Sequence, residues 1–106
     1  MDRDEAIQII KKFVKRLKKH GIKVEKVILF GSYAKGNFKE YSDIDVAIIS
    51  PDFGRDRFEE RILLSKIAAH IDRRLEPHPV GTEELEKDDW KLLIHEIKTQ
   101  GIEIAA

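Results

Sequence analysis

Apolar residues recur with a helical period over residues 4–20. Ile10, Phe13, Val14 and Leu17 fall at i, i+3, i+4 and i+7 and would share one buried face. Asp2, with Glu5 three residues on, resembles a capping box, and Gly21 is a natural stop. The pattern then changes period. VEKVILF, residues 24–30, is short and β-branched, and its last four residues are continuously apolar, so it predicts a strand buried at its end. IDVAII, 44–49, predicts a second such strand, closed by Ser50-Pro51. Between them, SYAK can make one turn of helix and GNFKEYS is a polar loop. Helical spacing returns over 56–70, with Leu64, Ile67, Ala68 and Ile71 on one stripe. RRLEPHPVG, 73–81, is too rich in proline for a helix and predicts a strand with Pro77 and Pro79 near an edge or its end. Thr82 opens a short helix or turn. Trp90, Leu93, Ile94 and Ile97 mark a last helix, ended by Gly101, which places Trp90 in the core. Ile102-Glu103-Ile104 alternates as a short edge strand would. Helices interleaved with strands, α-β-(α)-β-α-β-α-β, predict an α/β domain over 1–106, a mixed sheet of about four strands packed with helices.

Composition narrows the function. The chain has 106 residues, the size of one domain. Charged residues make up 38%, yet 20 basic and 20 acidic groups cancel. A neutral chain does not advertise nucleic-acid binding, which stays possible but is not favoured. Without cysteine there is neither a disulfide framework nor a thiolate zinc site. The N-terminus MDRDEAIQII is charged where a secretory signal would be apolar, and no apolar run is long enough to span a membrane. These features point to the cytoplasm. Abundant Lys, Arg and Glu beside a single Asn resemble a thermophile's composition.

The chemistry concentrates in LFGSYAKGNFKEYSDIDVAII, 29–49. Asp43 and Asp45 open a core strand, two residues apart and therefore on one face, with Cβ atoms roughly 6–7 Å apart. Two carboxylates that close repel one another, and burying them without a partner costs several kcal/mol. The strand itself holds no Lys or Arg, so the balancing charge comes from elsewhere in the fold or from a bound cation. Magnesium takes carboxylate oxygens and keeps other positions for water or phosphate. Gly31 allows a tight turn and a close ligand, and Ser32 offers a hydroxyl and a backbone N–H at a helix start, which favours an anion. Phosphate on one side and magnesium on the other describe a nucleoside triphosphate site. Taken singly, Gly-Ser and Asp-x-Asp also occur in ordinary turns.

FGSYAKG followed by SDIDVAII resembles the Gly-Ser-x10-Asp-x-Asp signature of the DNA polymerase beta nucleotidyltransferase superfamily, and the whole chain is similar in layout to its minimal nucleotidyltransferase domains. The resemblance implies transfer of AMP from ATP, with Asp43 and Asp45 holding two Mg2+ ions and Gly31 and Ser32 binding the β- and γ-phosphates. It places Lys35 beside the triphosphate, where a solvated loop lysine is the competing reading. It also implies a third carboxylate on a later strand. Glu76 matches, with Asp72 as runner-up; many relatives have Asp there, and an edge-strand glutamate of no catalytic role is the alternative. Minimal domains of this kind pair with small helical HEPN toxins as antitoxins. The implied acceptor is then a tyrosine hydroxyl of that toxin, in a homo- or hetero-oligomer. The alternative is a non-catalytic nucleotide-binding module that neutralises its HEPN partner by contact.

The remaining candidates are read as structural. His78 would share the face of Glu76 and is read as a half-exposed strand residue. Tyr33 is assigned to packing rather than to base stacking. His20, His70 and His95 have no metal-ligand spacing. The lysines and arginine between Lys11 and Lys19 read as a solvated face that suits the helix dipole.

Overall fold

The computed structural model describes residues 2–105. Asp2 caps α1 (Arg3–Lys19), its carboxylate accepting the Glu5 N–H at 2.8 Å. The buried side chains of α1 are Ala6, Ile10, Phe13, Val14 and Leu17, the stripe its periodicity implies. The helix closes at His20 and Gly21, the latter at φ +80°. Three strands follow in alternation with helices: β1 (Lys26–Phe30), α2 (Ser32–Lys35), β2 (Ile44–Ser50), α3 (Arg57–Ala69) and β3 (Leu75–Gly81). The chain continues through α4 (Thr82–Lys87) and α5 (Leu92–Gln100) to β4 (Ile102–Glu103). The sheet order is β3-β2-β1-β4. β1 runs antiparallel to β2 and β4, while β2 and β3 are parallel and joined through α3. This is the expected mixed four-strand sheet.

Strand period divides the sheet into two faces. Val27, Leu29, Ile44, Val46, Ile48 and Leu75 face α1 and α3 and pack with Phe13, Leu17, Leu64 and Ile67. Ile28, Phe30, Ala47, Ile49 and Val80 face the other way, against Leu85 of α4 and Ile94 and Ile97 of α5. On this second face the apolar cover is incomplete. Asp45, Glu76 and His78 share the parity of Ala47 and Val80, but they are half-buried where Ala47 and Val80 are buried. The uncovered end lies where β2 and β3 begin.

β3 is an edge strand, as its prolines require. Pro77 and Pro79 are two apart, so their missing N–H groups fall on the same, outer side and cost no ladder bond. Two expectations are corrected. Trp90 is not core: it is 78% exposed. The Lys91 N–H bonds the Asp88 carbonyl in a turn, α5 starts only at Leu92, and Trp90 falls outside the helix whose stripe it would have joined. Ile71 lies beyond the end of α3, although it still packs against the core from the following turn. Among the described residues, no helix is long and apolar enough to cross a membrane.

Candidate active site

β1 ends against the start of β2, with Phe30 opposite Asp45. The next residue, Gly31, has φ +72° and ψ −151°, a combination essentially restricted to glycine. A Cβ there would stand 2.3 Å from Asp45 Oδ2. Both conformation and space therefore demand glycine, because the Asp45 carboxylate packs directly against the Gly31 backbone where a side chain would stand.

Gly31 opens α2. Its carbonyl accepts the N–H groups of Ala34 and Lys35 at 3.2 and 3.1 Å. A helix start leaves the N–H groups of Ser32 and Tyr33 without intrahelical acceptors. The short helix ends at Gly36, at φ +87°. Two long-range contacts hold it. Arg3 donates to the Tyr33 carbonyl at 2.9 Å and to the Ala34 carbonyl at 3.0 Å. The Tyr33 ring is fully buried and stacks on Phe38 at 4.4 Å, so it packs, as the sequence implies. Lys35 is half-exposed, and its Nζ lies 3.9 Å from Glu96 of α5.

Asp43 is exposed, just before β2; Asp45 is half-buried inside it. Glu76 is the register partner of Asp45 on β3, which brings the two carboxylates to neighbouring strands, spaced about 4.8 Å apart. Asp45 Oδ1 lies 3.3 Å from His78 Nε2. Arg61, from α3, reaches both β3 side chains: Nη2 donates to Glu76 Oε1 at 2.6 Å, and Nη1 lies 3.3 Å from His78 Nδ1. The His78 and Phe30 rings meet in a T-shaped arrangement, their centroids 5.0 Å apart. The runner-up carboxylate, Asp72, is held elsewhere: the Arg74 guanidinium bonds it at 2.7 Å and keeps its carboxyl below the usual aspartate range.

Gly31, Asp45 and Glu76 are thus neighbours at the uncovered end of the sheet, with Ser32 next to Gly31 in the chain, Asp43 two residues before Asp45, and Lys35 one helical turn away. The exposed Asp43 and the half-buried Asp45 are oxygen donors two residues apart, whose chemistry suits a hard divalent cation. Among the described residues, however, no three Asp, Glu, His or Cys side chains converge as metal ligands, and Glu76 is engaged by Arg61. Sequence reading missed Arg61. Its signal was an arginine at i of the stripe that continues through Leu64 and Ala68, the face of α3 turned toward the sheet.

A family model described as "Nucleotidyltransferase domain" matches residues 7–103. A proposed protein adenylyltransferase of Methanocaldococcus jannaschii is 41% identical over 66 residues, 61% of this chain and 65% of the relative. The chain therefore spans just under two thirds of that relative's length. A crystal structure of a proposed nucleotidyltransferase from Sulfolobus solfataricus superposes with a TM-score of 0.69 at 17% identity, over 95% of this chain and 80% of the other. A toxin–antitoxin crystal structure with AMP-PNP superposes at 0.57 and 24% identity, over 94% and 73%. At these identities the two structures show likeness of fold.

Proposed function

The chain belongs to the nucleotidyltransferase-domain family, and we propose that it transfers AMP from ATP to an acceptor hydroxyl with release of pyrophosphate. The carrying observation is the register of Asp45 with Glu76, with Asp45 packed against the glycine-only turn at Gly31 that opens α2 and Asp43 two residues before it. Gly31 and Ser32 bind the β- and γ-phosphates, with the helix-start N–H groups of Ser32 and Tyr33 as donors. Lys35 adds positive charge. Asp43, Asp45 and Glu76 would hold two magnesium ions, which supply neutralisation of the triphosphate and a lowered pKa of the attacking hydroxyl. The hydroxyl oxygen bonds to the α-phosphorus, the bond from that phosphorus to the bridging oxygen breaks, and the hydroxyl proton passes to Glu76.

The acceptor is a tyrosine of a HEPN-type toxin, and the protein acts as its antitoxin in the cytoplasm. The likeness to a toxin–antitoxin structure with AMP-PNP supports the pairing and the adenine nucleotide. The protein is incubated with labelled ATP, magnesium and the product of the neighbouring gene, and the partner's mass is measured. A gain of one AMP, absent from Asp43→Ala/Asp45→Ala, is expected. No gain with the wild type, or the same gain with the double variant, refutes the enzymatic reading. The second reading, a non-catalytic module that neutralises by contact, draws support from the engagement of Glu76 by Arg61. It predicts that the double variant still neutralises the partner.

A further inference from the structure

Asp45 and Glu76 have a common arrangement that AMP transfer by itself does not require. In each, one carboxylate oxygen is tethered and the other has no partner among the described residues. Asp45 Oδ1 lies against His78 Nε2 at 3.3 Å, while Oδ2 packs against the Gly31 backbone without a hydrogen-bond partner among the described residues. Glu76 Oε1 accepts from Arg61 Nη2 at 2.6 Å. Both tethers lead to Arg61, because its Nη1 lies 3.3 Å from His78 Nδ1. A guanidinium can only donate. His78 Nδ1 must therefore accept, and the ring proton sits on Nε2, where it is donated to Asp45. Phe30 packs against the same ring at a steep angle and restrains its plane.

We propose that Arg61 and His78 are positioning residues of this active site. One side chain of α3 orients both strand carboxylates: Glu76 directly, and Asp45 through a ring whose tautomer Arg61 sets. The kinetic part of this inference rests on the proposed AMP transfer; the tautomer part does not. Partners that orient metal-binding carboxylates and imidazoles from behind leave the facing oxygens free for their ligand. Here the tethered oxygens are Asp45 Oδ1 and Glu76 Oε1. The charge on Arg61 also answers, for Glu76, the repulsion between neighbouring carboxylates.

The test has two arms. Long-range proton–nitrogen spectra of histidine-labelled protein, taken above the ordinary imidazole range, report the tautomer of His78. The wild type should show a single neutral form protonated on Nε2, and Arg61→Met a mixture. A proton on Nδ1 in the wild type, or an unchanged spectrum in the variant, overturns the proposal. This arm decides even if the wild type transfers no AMP, in which case the proposed function falls by itself. The second arm compares His78→Gln with His78→Leu. A glutamine amide accepts through oxygen and donates through nitrogen, in the order the imidazole does. His78→Leu and Arg61→Met should lower kcat about 10–100-fold with KM for ATP little changed, and His78→Gln should recover most of it. Equal losses in Gln and Leu, a change confined to KM, or a rise in kcat on removing Arg61 would sink the idea. If Arg61→Met does not fold, the His78 pair carries this arm.

Discussion

At the scale of single residues, Gly31 is the most constrained position in the site. A side chain there meets two obstacles at once, a backbone conformation reserved for glycine and the carboxylate of Asp45. Gly31→Ala should cost about 1–3 kcal/mol of stability from backbone strain. AMP transfer should fall further than stability, since the methyl would push the Asp45 carboxylate out of place. Urea unfolding together with the transfer assay checks both; a variant as stable and active as the wild type contradicts the geometry. Gly31, Ser32, Asp43 and Asp45 were legible because each stands at the end or start of an apolar run, where a charge or a glycine has no packing reason. Glu76 was legible only through the resemblance. Arg61 was not, because its partners lie 15 and 17 residues away on another element.

At the scale of elements, α2 is too short to be stable alone. Four residues supply barely one turn, far below the length at which helices hold in water. It persists because Tyr33 is buried under Phe38 and because Arg3 caps its last carbonyls from the start of α1. Arg3→Ala should destabilise the fold by about 1–2 kcal/mol, the scale of hydrogen bonds to a charged group that is partly solvated. Amide exchange should quicken over residues 31–36 more than over β1 or β2. Uniform quickening, or none, would show that Arg3 does not hold this helix. β3 was legible from its prolines, which exclude a helix and an interior strand alike. The start of α5 was not. Counting back four from Ile94 reaches Trp90, and only the turn from Asp88 to Lys91 ends the stripe before it.

At the scale of the whole molecule, Glu84 joins three segments: the start of α3, the end of β3 and the turn before α5. Burial alone would raise its carboxyl, but the Lys91 ammonium at 2.9 Å, the Gly81 N–H at 3.1 Å and the Arg57 guanidinium outweigh it and hold the carboxyl below the usual glutamate range. A carboxyl lowered by folding stabilises above its unfolded pKa and loses that contribution as pH falls through the folded value. Glu84→Gln should therefore cost about 1–3 kcal/mol at neutral pH, and the difference from the wild type should close as pH falls below about 4. Urea midpoints across that range measure it; a difference independent of pH would count against the charged pairing. Period and punctuation, both local properties, were enough to set the α/β order, the exclusion of β3 from the sheet interior and the Gly-Ser and Asp-x-Asp placements; the sheet order placed β3 at the edge. The partners of the carboxylates, the exposure of Trp90 and the open end of the sheet depend on which face each helix covers. That is settled by packing between segments distant in the chain, on which local pattern has no hold. The two aspartates announce that partners must come to them; only the folded chain shows that His78 stands against Asp45, with Arg61 behind it.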